Sequence, residues 1–99
     1  MEVIIVGCSR VGSELARILS VEGHNVVVID KDQKSFQRLG PTFNGLTLVG
    51  NGIDLDTLTQ AGIQKADAFA VVSNGDNTNL MAAQIAKKIF NVPKVIARL

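Results

Sequence analysis

The chain has little that would tie it to the cell exterior, to a membrane or to nucleic acid. A single cysteine, Cys8, excludes an internal disulfide and agrees with a reducing compartment. Ten Lys and Arg against nine Asp and Glu leave a net charge of +1. These charges are scattered with no basic run, so no electrostatic footprint of nucleic-acid binding is visible. No apolar stretch approaches the roughly 20 residues of a membrane helix. The first residues already read as a core strand with no basic region ahead of them, unlike a signal peptide. The expectation is a soluble, cytoplasmic chain. Ninety-nine residues suit one domain with a single core, short of a complete six-stranded dinucleotide fold. No repeat, linker or low-complexity segment interrupts it.

What is present is concentrated between Val3 and Asp30. Val3-Ile4-Ile5-Val6 is an unbroken β-branched run, as expected where a parallel sheet is covered on both faces. It stops at Gly7-Cys8-Ser9-Arg10-Val11-Gly12. A helix follows, with Val11, Leu15, Ile18 and Leu19 spaced to form one apolar stripe, and a second strand, Val26 to Ile29, delivers Asp30. Gly7 permits the tight turn and Gly12 the close approach of the helix, while the helix N-terminus offers backbone N–H groups and a dipole to a phosphate. Asp30 lies eighteen residues past Gly12, where its carboxylate can accept hydrogen bonds from ribose hydroxyls and would repel a 2′-phosphate, disfavouring NADP. The fingerprint's middle glycine is replaced by Ser9. Its β-carbon should hinder a snug pyrophosphate, while its hydroxyl could bond a phosphate oxygen, so mononucleotides are favoured over NAD.

Arg10 sits in the first helical turn, where a cation is unfavourable unless an anion is near, and a phosphate would account for it. Two readings are open for Cys8. One is a thiolate favoured by the helix N-terminus and available for redox sensing; the other is a small side chain filling the loop. His24, the sole histidine, falls in a turn, Glu22 to Asn25, away from the predicted crevice. Asp54, Asp56 and Asp76 read as helix caps and first-turn acids, so no metal site is expected.

Alternation of helix and strand continues beyond Asp30. Asp32 caps a short helix, Gln33 to Leu39, closed by Gly40-Pro41, and Leu46 to Val49 is a third strand. Asp54 caps a helix to about Ala61, closed by Gly62, and Ala68 to Val72 is a fourth strand. A last helix, about Asn77 to Phe90, carries Met81, Ala82, Ile85, Ala86, Ile89 and Phe90 in two rows that predict a wide buried face, before a fifth strand, Val95 to Ala97. The fold predicted is α/β, a Rossmann-like doubly wound parallel sheet with strand order 3-2-1-4-5 and helices on both faces. Strands 1 and 4 then flank the switch point. Gly7 to Gly12, Asp30-Lys31, Gly50-Asn51-Gly52, Ser73-Asn74-Gly75 and Arg98 converge on one edge.

These residues resemble the nucleotide-binding domain of bacterial potassium-transport regulators, the Trk and Ktr cytoplasmic subunits, and the RCK domains of potassium channels. The likeness covers essentially the whole chain. It rests on Gly7, Arg10, Gly12 and Asp30, on Val49-Gly50-Asn51, on Leu58 to Ala68 (LTQAGIQKADA), and on Ala70-Val71-Val72 with the polar residues after it. Asn79-Leu80 with the alanine-rich helix and the ending Val95-Ile96-Ala97-Arg98 complete it. The resemblance implies a non-catalytic module under a membrane-embedded potassium transporter or channel, peripheral to the inner face of the membrane. It also implies assembly into dimers or rings and a shape that changes with the bound nucleotide. By position, Asp30 would hold the ribose, Asn51 and Gly52 would lie near the adenine, Ser73 and Asn79 would line the crevice, and Arg10 and Arg98 would serve the phosphates. With Gly7, Cys8, Ser9, Val11, Gly12, Lys31 and Asn74 these make up the candidate site. Asn51 stands where the family usually has aspartate, which lowers the negative charge near the base. AMP, ADP or ATP is the favoured ligand, with NAD or NADH as the alternative. The family normally continues into a crossover helix and often a second ligand-binding domain, and residues 1–99 are expected to hold neither. The competing readings are a cofactor-binding piece of an NAD-dependent oxidoreductase and a nucleotide-independent scaffold dimerising through the last helix.

Overall fold

The two most β-branched segments of the sequence become the central strands of the sheet. The computed structural model describes residues 1–98 and contains five parallel strands: β1 (Glu2–Val6), β2 (Asn25–Asp30), β3 (Leu46–Val49), β4 (Ala68–Val71) and β5 (Lys94–Ala97). They lie in the order β3-β2-β1-β4-β5, as the alternation predicts. The register pairs Val3 with Val26 on one side and with Ala68 on the other. Val3, Ile4, Ile5 and Val6 are all buried, because β1 is covered from above and below.

Alternate side chains of the sheet feed two cores. Val3, Ile5, Val26, Val28 and Ala70 pack with Ala16 of α1 (Arg10–Val21) and with Leu39 of the 3₁₀ helix Gln33–Leu39. On the other face Ile4, Val6, Ile29, Phe69 and Val71 meet Leu58 of α2 (Leu55–Gln60), Ile63 of a short 3₁₀ turn, and Ala82, Ala83 and Ala86 of the last helix. Helices therefore cover both faces. Gly62, in the left-handed region at φ 89°, makes the break between α2 and that turn.

Two apolar faces differ from expectation. In α1 the buried residues are Gly12, Ser13 and Ala16, with Leu15 and Leu19 packing partly, while Val11 and Ile18 stay 48% and 49% exposed. The closest approach of the helix at Gly12 fixes its rotation and turns the Val11–Ile18 row outward. The last helix is α3 (Asp76–Gln84) followed by a π turn, Ile85–Ile89, in which the Phe90 amide donates to the Ile85 carbonyl at 3.3 Å. The wider turn breaks the 3.6-residue period. The alanine side meets the sheet, with Ile85 and Phe90 packing partly against the same core, while Met81 and Ile89 are 51% and 57% exposed. Among the described residues no helix is long and apolar enough to cross a membrane.

Candidate functional site

The carboxyl ends of β1, β2, β3 and β4 open into one crevice of about 630 Å³. Its size is that of a small-molecule site. Gly7, Cys8, Ser9, Arg10, Asp30, Lys31, Asn51, Gly52, Ser73 and Asn74 of the predicted set line it. So do Val6, Ile29, Asp32, Ser35, Arg38, Gly50, Gly75 and Thr78.

Glycine is obligatory at the neck of the crevice. Gly7 has φ 101°, and a β-carbon on it would lie 2.7 Å from the Ser73 backbone. A β-carbon on Gly12 would lie 2.0 Å from the Gly7 carbonyl oxygen. The loop is thus pressed between α1 and the end of β4, and its amides are sorted. Gly7 N–H donates to the Ile29 carbonyl at 2.7 Å, Gly12 N–H to Ser9 Oγ at 3.2 Å and Ser13 N–H to the Ser9 carbonyl at 2.8 Å. Ser9, Arg10 and Val11 keep N–H groups that donate to nothing among the described residues. Three consecutive free amides at the positive end of a helix form a concave donor site for an anion.

Asp30 is held by the same loop. Its Oδ2 accepts the Cys8 N–H at 2.7 Å and its Oδ1 the Asp32 N–H at 2.8 Å, which fixes the plane of the half-buried carboxylate. Each oxygen retains a lone pair for a further donor.

Ser9 differs from expectation. Its hydroxyl donates to the Val72 carbonyl at 3.0 Å and caps α1 through Gly12, so its one proton is spent on the end of β4 and is not offered to a ligand. Gly12 shapes the crevice from behind without lining it. Val11 contributes its amide but sends its side chain outward. Asn79 does not line the crevice either. It is fully buried, with Oδ1 accepting from the Ser73 amide (3.0 Å) and hydroxyl (2.7 Å), and Nδ2 donating to the Ser73 carbonyl (3.0 Å) and the Arg98 carbonyl (2.9 Å). Its position is that of a brace. The exposed Arg98 side chain is absent from the walls, and only its backbone is engaged, the amide donating to the Val71 carbonyl at 3.0 Å.

The redox reading of Cys8 is not supported. The thiol is 1% exposed and donates to the Ser35 carbonyl at 3.2 Å. Burial first, and then the Asp30 carboxylate, push its pKa above the ordinary thiol range, outweighing Arg38, the Ser35 contact and Arg17, which pull it down. A raised thiol pKa favours the folded state below the unfolded thiol's pKa, and that contribution is lost as pH rises through the folded value. We therefore expect iodoacetamide at pH 8 to alkylate Cys8 no faster than the protein unfolds, with prompt labelling in denaturant. Rapid labelling of the folded protein, read by mass spectrometry, would show an open thiolate.

His24 lies at the opposite end of the sheet, its Nδ1 3.0 Å from the amino terminus. Asp54 caps α2 through the Thr57 amide at 3.2 Å, and Asp56 and Asp76 fall in first helical turns. Among the described residues no group of three His, Cys, Asp or Glu is placed to hold a metal ion.

Five parallel strands in this order, a glycine turn feeding a helix N-terminus and an acid closing β2 define a Rossmann-like domain with its ligand crevice at the switch point. The chain belongs to the TrkA-N domain family, whose model matches residues 3–99. It is 52% identical over 99 residues to the Trk system potassium uptake protein TrkA of Streptomyces coelicolor, covering 100% of this chain and 44% of that protein. It is 35% identical over 98 residues to a Trk system potassium uptake protein TrkA homolog of Methanothermobacter thermautotrophicus, covering 99% of this chain and 45% of that one. The chain thus spans less than half the length of these relatives. Among solved structures, the AMP-bound Kef C-terminal domain of Shewanella denitrificans superposes with a TM-score of 0.83 at 22% identity, over 96% of this chain and 57% of that one. The TrkA-N domain of the inner membrane protein ybaL from Escherichia coli gives 0.82 at 22% identity, over 98% and 71%.

Proposed function

We propose that this domain is a non-catalytic, adenine-nucleotide-binding regulatory module of a potassium uptake system, working from the cytoplasmic side on a membrane-embedded transporter as part of a homodimer or larger homo-oligomer. The observation that carries the reading is the pairing, across one loop, of three unengaged amides at the start of α1 with the pre-set carboxylate of Asp30. The amides take a phosphate and Asp30 takes the ribose hydroxyls. Arg10 and Lys31 add positive charge along the wall.

The ligand class follows from Ser9. Its hydroxyl withdraws the Gly12 amide from the donor set and its β-carbon fills the place of the fingerprint's middle glycine, so the loop suits the phosphate of AMP, ADP or ATP better than the pyrophosphate of NAD or NADH. Regulation requires ligands with different affinities for two states of the assembly, and the distal phosphates supply that difference. The relatives' names connect the family with potassium uptake, and a protein of this fold was solved with AMP. The one thiol in the wall is buried, and burial pushes its pKa up, which supports a binding role over nucleophilic chemistry.

Thermal unfolding with AMP, ADP, ATP, NAD and NADH at one fixed concentration tests this. A ligand at a hundred times its dissociation constant adds about 2.7 kcal/mol, and each kcal/mol raises the midpoint by about 4 to 8 °C in a domain of this size. Mononucleotide shifts larger than those with NAD or NADH are expected. A response confined to NAD and NADH would overturn the Ser9 argument, and no response to any of the five would overturn the function.

A further inference from the structure

An adenine bound beside Asp30 would gain from a flat partner, and the crevice has no aromatic ring to offer. The sequence contains neither Trp nor Tyr and has four Phe. Phe36 and Phe43 pack into the core under α1, Phe69 is buried in the opposite core, and Phe90 packs against that same core. None of them lines the crevice. The wall does hold a planar cation tied to the loop that fixes Asp30: Arg38, which no motif in the sequence singles out. Its Nη1 donates to the Cys8 carbonyl at 3.2 Å, and Cys8 is the residue whose amide holds Asp30. Its backbone is fixed as well: Arg17 of α1 donates to the Arg38 carbonyl, and Gly40 closes the 3₁₀ helix behind it at φ 76°. Arg38 forms no ion pair among the described residues. Arg38 lines both the crevice and, with Asp32 and Ser35, a smaller groove of about 300 Å³ over the 3₁₀ helix.

Resting on the adenine-nucleotide reading above, we propose that Arg38 is the base-binding residue of the crevice, its guanidinium stacking on the purine ring held next to Asp30. Guanidinium planes stack on nucleobases as aromatic side chains do, and a lysine ammonium does not reproduce the plane. The tether to the Cys8 carbonyl holds the group in place before the ligand arrives, which lowers the ordering cost of the contact.

The test is equilibrium binding of AMP and of ribose 5-phosphate, which has the same sugar and phosphate without the base, to the wild-type protein, Arg38→Ala and Arg38→Lys. Arg38→Ala should weaken AMP about tenfold and leave ribose 5-phosphate within about twofold, with Arg38→Lys recovering little of the loss. A fluorescent etheno-AMP should show less base perturbation in both variants than in the wild type. Equal weakening of AMP and ribose 5-phosphate by Arg38→Ala would overturn stacking and make Arg38 a phosphate contact. Unchanged affinity for both would make it a surface residue. Failure of the wild-type protein to bind AMP at all would fall on the nucleotide reading itself, whereas AMP bound no more tightly than ribose 5-phosphate would fall on the base contact alone.

Discussion

Replacing Gly12 by alanine should destabilise the domain by about 2 to 3 kcal/mol net and lower its unfolding midpoint by about 8 to 24 °C. Two effects oppose each other. Gly12 is helical, and alanine gains up to about 1 kcal/mol of intrinsic propensity there. Against that, the new β-carbon would stand 2.0 Å from the Gly7 carbonyl oxygen and 3.0 Å from a Val72 methyl. The oxygen belongs to the backbone of a loop already held by its hydrogen bond to β2, so no side-chain rotation relieves the clash, and α1 has to move off the sheet. That motion opens the Ala16 contact and spoils the Ser9 cap. Gly75→Ala is the internal control: its φ is ordinary and its β-carbon would meet only Thr78, at 3.4 Å, so the expected change is about 1 kcal/mol or less, from the poorer N-cap that alanine makes for α3. Denaturant unfolding of the two variants side by side decides the matter. Equal midpoints would mean that α1 slides freely and that the close approach is incidental.

Asp30→Ala should cost about a hundredfold or more in AMP affinity, since hydrogen bonds to a charged acceptor contribute about 1.5 to 3 kcal/mol each and the carboxylate would receive two from the ribose. The structure adds that asparagine is not a mild replacement. Both carboxylate oxygens already accept backbone N–H groups, from Cys8 and from Asp32. An amide at this position would have to point its NH₂ at one of those donors, leaving that N–H unpaired and setting hydrogen against hydrogen. Asp30→Asn should therefore lose about 1 to 3 kcal/mol of stability as well as most of its affinity. Calorimetric titration with AMP together with denaturant unfolding separates the two losses. An Asn variant with wild-type affinity would show that the ribose is held elsewhere.

The fold could be read from the sequence because the sheet writes itself locally. Val3 to Val6 and Val26 to Ile29 are apolar throughout, as only doubly covered strands are, and Gly40 and Gly62 mark real helix ends in positive φ. The crevice loops followed from topology alone. Side-chain direction did not. Whether the Ser9 hydroxyl faces a ligand depends on a carbonyl sixty-three residues away in sequence, at Val72, and the aim of Arg38 depends on the Cys8 carbonyl thirty residues back. Asn79 sits in the first turns of a helix that opens beside the crevice, yet its side chain turns inward. Nothing in the residue types around it distinguishes the two directions. The apolar rows of α1 and α3 misled for a related reason: close approach at Gly12, Ala82 and Ala86 chooses which face is buried, and small residues weigh little in a hydrophobic pattern.

The brace at Asn79 carries its own consequence. With two acceptor contacts and two donor contacts, the amide has no valence left over, and three of the four go to Ser73 on the crevice wall while the last holds the carbonyl of Arg98 beyond β5. An occupant that took the Ser73 hydroxyl proton would remove one of these contacts and leave the amide tied to the Ser73 backbone and to the Arg98 carbonyl. One buried side chain is thus the rivet through two plates, the crevice wall at Ser73 and the end of the outermost strand at Arg98.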